Sequence, residues 1–112
     1  MNKRYLQGRA AEYLAQRELE AEGWTTVRAA GSKGAIDIVA WRAERVCFLQ
    51  IKTFQDRPGS YAKDIQQLSD IMLPPNATAE LWIRKHRTRK WHEKILVKET
   101  SHHGIRHDAQ AE

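Results

Sequence analysis

Asp37, twelve intervening residues and then Gln50-Ile51-Lys52 place an acid, an amide oxygen and an ammonium on two segments that read as β-strands. Alternate side chains of a strand share a face. Gln50 and Lys52 therefore point the same way, while Leu49 and Ile51 enter the opposite layer. Such a set can hold a divalent cation beside an ammonium. It suits attack of water on a phosphodiester, because metal and lysine both offset charge developing on the phosphate oxygens. Taken alone, the same spacing also fits a surface ion pair on a β-hairpin. Glu12 adds a second acid. At about 100° per residue, Tyr5, Gly8, Glu12, Ala15 and Leu19 fall in one helical stripe, with the carboxylate in the middle of a small, apolar face. A charge there needs a partner, either a neighbouring Arg or Lys or a bound cation.

The elements that must position these groups follow from periodicity and punctuation. Residues 3 to 22 predict a helix that ends at Gly23, the residue type suited to the position after a helix. Trp24 to Ala30 and Ala35 to Trp41 predict two strands around a Gly31-Ser32-Lys33-Gly34 turn. Arg42 to Arg45 forms a polar hairpin turn, and Val46 to Thr53 returns as a third strand. Ser60 is the expected N-cap of a helix running to about Leu73, with Tyr61, Ile65, Leu68 and Met72 as its buried stripe and Pro74-Pro75 stopping it. Ala79 to Lys85 and Trp91 to Lys98 predict two further strands joined by a basic turn. From Glu99 onward the chain is polar and weakly patterned, so 99–112 reads as a mobile tail behind a single domain of residues 1–98. This order implies an α/β layer domain with a central mixed sheet.

The 112 residues suffice for one core, and the net charge of +5 favours an anionic partner, nucleic acid or an acidic membrane surface. No apolar run approaches the roughly 20 residues of a spanning helix. The N-terminus also has no apolar stretch of the kind a signal peptide carries. The single cysteine, Cys47, lies in an apolar strand and reads as a packed core thiol. With no intrachain disulfide possible, a reducing cytoplasm is the expected location.

The run Gly8-Arg9-Ala10-Ala11-Glu12, then Gly23-Trp24, Val27-Arg28, Gly31-Ser32-Lys33, Ile36-Asp37 and Gln50-Ile51-Lys52, resembles the archaeal-type Holliday junction resolvases of the restriction-endonuclease-like nuclease superfamily. The likeness covers about residues 1 to 98. It implies a restriction-endonuclease-like core and a homodimeric, magnesium-dependent endonuclease, with Mn2+ as a substitute ion, that resolves four-way DNA junctions by paired incisions. It also implies the cytoplasm of an archaeal cell, or of a host if the source is viral. By the resemblance Glu12 matches the first-helix acid, Asp37 the central metal ligand and Lys52 the catalytic lysine. Ser32 matches a loop serine near the scissile phosphate, and Arg28 a basic position beside the site. The expected metal set is Asp37, the Gln50 side-chain oxygen, the Ile51 backbone carbonyl and Glu12, held directly or through water.

Gln50 departs from the family pattern, which carries Glu. An amide oxygen still suits a hard cation but brings no charge. A natural variant that retains activity, an engineered substitution that traps an uncut complex and a chain that binds junctions without cutting them are the three readings. A restriction- or repair-type nuclease acting on other DNA is the rival substrate assignment.

Arg84, Lys85, Arg87, Arg89 and Lys90 put five cations in seven residues. A solvated turn is the plain reading of a charge run. In a basic nuclease they are expected to contact DNA backbone, as are Arg9, Arg28, Ser32 and Lys33; such contacts position a duplex without reading sequence. Trp82 and Trp91 flank the turn and are expected in the core or at a dimer contact, not stacked on bases. His102, His103 and His107 lack metal-ligand spacing and read as part of the polar tail.

Overall fold

The computed structural model describes residues 3–29 and 34–101, with α1 side chains from Gly8 onward. Ser32, Lys33, His102, His103 and His107 lie outside the described residues, as does the side chain of Tyr5. Helix α1 (Lys3–Ala21) leads into β1 (Thr25–Arg28), β2 (Ile38–Arg42) and β3 (Arg45–Phe54). Helix α2 (Ala62–Ser69), β4 (Ala77–Lys85) and β5 (Trp91–Glu99) follow. The five strands form one sheet in sequence order. β1–β2, β2–β3 and β4–β5 are antiparallel, and β3–β4 is parallel because α2 carries the chain across the sheet between them. The expected mixed sheet flanked by helices is therefore what forms.

Strand parity divides the interior in two. Cys47, Leu49 and Ile51 of β3 pack with Ile38, Ala40, Trp82 and the Ala11, Ala15 and Leu19 face of α1. On the other side Phe54, Ala77, Ala79, Leu81 and Ile83 pack with Leu68 of α2, and Val46, Phe48 and Ile65 border them. Small residues on α1 allow the helix to lie close on the sheet. Its buried ridge is Ala11-Ala15-Leu19, and Glu12 stands on the margin of that ridge, not in the middle of an apolar face as its stripe predicted. Cys47 is 2% exposed, and burial pushes its thiol up to about 12, so it packs as an inert core group.

Helix α2 is shorter than expected. Tyr61, at φ 57°, occupies the N-cap position, and Ser60 Oγ accepts only a long bond, 3.4 Å, from Ala62 N–H. The helix stops at Ser69, four residues before Leu73. Lys98 Nζ donates to Ser69 O at 3.0 Å and Ile71 O at 2.7 Å, so carbonyls a longer helix would have used are satisfied from β5. Met72 leaves the predicted stripe and is 82% exposed. At the other end of the fold, Glu99 closes β5, and Thr100 is 5% exposed with its Oγ1 accepting from Ala77 N–H at 3.0 Å. Residues 99–101 thus belong to the domain and not to a tail.

Candidate active site

The site lies where β2 begins, at Asp37 just ahead of Ile38. Asp37 donates its backbone N–H to Leu49 O at 2.8 Å, and its Oδ2 accepts the Ile51 N–H at 2.7 Å. One residue therefore brackets Gln50 from the neighbouring strand, using main chain on one side and a carboxylate on the other. Ala29 N–H donates to Asp37 O at 2.8 Å, which anchors the same residue to the end of β1. Burial raises the Asp37 pKa above the usual carboxylate range. The Ile51 N–H opposes that shift, the Glu12 charge adds to it, and Lys52 opposes it. Asp37, Glu12 and Lys52 are thus near enough to feel one another.

Gln50 is 6% exposed, and its Oε1 is buried with no hydrogen-bond partner among the described residues. Buried acceptors without partners are rare, and an absent ion is one cause. Among the described residues no three His, Cys, Asp or Glu side chains converge on one point. Position 50 is where the amide replaces an acid, so such a cluster is one carboxylate short. The unpartnered amide oxygen of Gln50, the residue whose main chain Asp37 brackets, nevertheless has the hard-oxygen character that Mg2+ or Mn2+ takes.

Glu12 meets Arg28 of β1, with Oε1 2.9 Å from Nη1 and both side chains about four-fifths buried. The partner that its position demands is therefore an arginine, Arg28 on the edge strand, one of the partners its stripe allowed. Lys52, as parity predicts, leaves β3 on the face opposite Leu49 and Ile51. There its Nζ pairs with Asp64 Oδ1 of α2 at 3.3 Å.

A family model, archaeal Holliday junction resolvase (hjc), matches residues 3–110. The chain belongs to that family. Among solved structures it is similar to Archaeoglobus fulgidus Hjc, described as a Holliday junction resolvase from an archaeal hyperthermophile. The TM-score is 0.63 with 24% identity, over 80% of this chain and 72% of that one. A search of curated proteins returned no match. The match places the chain among nucleases and agrees with the observed sheet and helices.

For a resolvase-family chain the basic turn is less uniform than its sequence. Arg84 is 8% exposed and donates Nε–H to Thr88 O at 2.7 Å, while its buried Nη1 has no partner among the described residues. It braces the turn from within, where the sequence predicts a contact to DNA backbone, and burial disfavours its charged form. Lys85, Arg87, Arg89 and Lys90 are exposed, and Arg87 takes φ 67° at the bend. His86 stays with the core, donating its backbone N–H to Phe54 O at 2.9 Å and placing Nε2 3.0 Å from Thr53 Oγ1.

Arg9 lies over the Tyr13 ring at 5.9 Å. A pocket of about 530 Å³ between α1 and the turn is lined by Tyr13, Arg17, Arg84, Thr88 and Arg89, among others. Arg17 joins this basic surface only through packing, though its place one helical turn after Tyr13 was the signal that could have found it. Trp82 is 4% exposed and meets Trp91 edge-to-face at 5.1 Å, so the pair is interior packing. Trp91 Nε1–H also donates to Glu18 Oε1 of α1 at 3.1 Å.

Proposed function

We propose that the chain is a structure-selective, Mg2+-dependent endonuclease that resolves four-way DNA junctions by paired phosphodiester incisions, working as a homodimer in the cytoplasm. The observation that carries the reading is the unpartnered side-chain oxygen of Gln50, a residue whose flanking main chain Asp37 binds, with Lys52 on the same strand face. Asp37, Gln50 Oε1 and the Ile51 carbonyl would hold the ion. A strand residue shows its N–H and C=O on one edge, so the Ile51 carbonyl faces the Asp37 side, just ahead of Ile38, the first residue of β2. When bound, the ion supplies charge neutralisation at the phosphate and activation of the attacking water.

The protein groups do the rest. Lys52 offsets the negative charge that grows on the phosphate oxygens. Arg28 holds Glu12 beside the site, and Glu12 adds negative charge where a cation must be retained. Lys85, Arg87, Arg89 and Lys90, with Arg9 on α1, position DNA arms by contacts to backbone phosphates. Two sites related by a twofold axis address two strands of like polarity in a symmetric junction.

Cleavage of four-way junction, Y-form and linear duplex with Mg2+ tests the substrate. Junctions are expected to be cut preferentially, and equal rates on all three would remove the resolvase assignment in favour of a general nuclease. The neutral Gln50 favours a second reading, a junction-binding protein without catalysis. Asp37→Asn and Gln50→Glu separate the two. The first is expected to abolish cutting by the parent chain. If only Gln50→Glu cuts, the chain as given is a binder or a trapped enzyme.

A further inference from the structure

We propose that Asp64 of α2 is the positioning residue for Lys52 and supplies the negative charge that position 50 lacks; this rests on the nuclease reading above. On β3 the residues two before and two after Lys52, which share its face, are Gln50 and Phe54, one a neutral amide and the other apolar. Across the parallel ladder its partner is Ile83, 1% exposed. The sheet therefore offers Lys52 no anion on that face from these positions. Helix α2 covers the same face and supplies Asp64 in its first turn, 3.3 Å from Nζ, with the carboxylate side chain 21% exposed.

A long, flexible lysine stem left unpaired would sample many rotamers, and a transition-state charge must be met by a group already in place. Asp64 fixes the ammonium from the helix side, while Asp37 acts on it from the β2 side. In this arrangement a carboxylate at position 50 and a carboxylate at position 64 are alternative ways to give the Lys52 neighbourhood the same negative charge. The rival explanation is an ordinary surface ion pair, which contributes little and has no bearing on turnover.

The test compares the parent chain with Asp64→Asn, Asp64→Glu, the double variant Asp64→Asn/Gln50→Glu, and Asp37→Asn as the dead-site reference. Turnover and KM on a four-way junction with Mg2+ are measured beside melting temperature. The Lys52 Hε protons are followed by NMR in metal-free protein. Asp64→Asn is expected to lower kcat by about tenfold or more with KM and melting temperature little changed, and to collapse the two distinct Hε signals into one. Asp64→Glu and the double variant should each recover most of the lost turnover. Unchanged kcat in Asp64→Asn, or a loss that neither second change restores, overturns the proposal. If the parent chain does not cut, or cuts no faster than Asp37→Asn, the nuclease reading fails by itself. The Lys52 signals then decide the Asp64 contact: collapse in Asp64→Asn supports it, and persistence sinks it.

Discussion

Asp37 is held in place by two strands and kept largely from water, and its burial works against its own ionisation. Its folded pKa lies above its unfolded value of 3.8, so the native state binds protons more tightly between the two. Stability from this group consequently falls as pH rises from 3.8 through the folded value, and the full penalty is present at neutral pH. Asp37→Asn, which keeps an oxygen for the Ile51 N–H, is expected to melt higher than the parent at pH 7. That advantage should shrink to nothing by about pH 3. Melting curves across this range check it, and a variant that melts lower at pH 7 would mean the Ile51 bond outweighs burial. Glu12 instead has a charged partner, Arg28 Nη1 at 2.9 Å. Glu12→Gln is expected to lose about 1 kcal/mol, or a melting drop of about 4–8 °C, and also to cut at least about tenfold more slowly. A destabilised but fully active variant would make Glu12 an ion-pair partner and nothing more. Parity alone was enough to place Gln50 and Lys52 together. The partners that define them, Arg28 for Glu12 and Asp64 for Lys52, come from distant chain segments that periodicity cannot join.

Among the elements, strands were more legible than helix ends. The sequence places β3, β4 and β5 to within two residues of their observed ends, whereas β1 and β2 each lose residues at the ends nearest the glycine turn. The α2 boundary was missed because a lysine on β5 satisfies its terminal carbonyls, a tertiary contact with no local signature. The β4–β5 turn shows the same limit in charge. Five cations look equivalent in sequence, yet Arg84 is turned inward as a brace and the others remain exposed. Neutralising Arg87, Arg89 and Lys90 is therefore expected to weaken junction binding and to reduce the slope of log affinity against log salt by about 0.9 for each phosphate left without its cation. Titrations at several salt concentrations measure that slope directly, and no change would mark the turn as merely solvated. Arg84→Ala should act differently, through turn geometry and stability, since its Nε–H holds Thr88 O.

At the scale of the molecule, strand order follows chain order, so most pairing joins neighbours in sequence. The exception is the parallel β3–β4 ladder, whose first pair is Val46 with Ala77. Every group proposed to hold the ion or to act beside it lies before that crossover, on α1, β3 and the residue that leads into β2. The basic turn and the bracing Arg84 lie after it, and Asp64 lies within the crossing segment itself. The meander β1–β2–β3 can zip up by short hairpin closures, while β4 must wait for the segment after Phe54 to close on itself, an entropic cost that grows with its length. The half that carries Asp37 and Lys52 is therefore expected to assemble first, and the half that carries the basic turn to dock onto it. Asp64 arrives with the docking step, so Lys52 gains this partner only when the whole sheet is complete, and on the proposed reading a partly folded chain would carry the acids and the ammonium without the geometry for cutting.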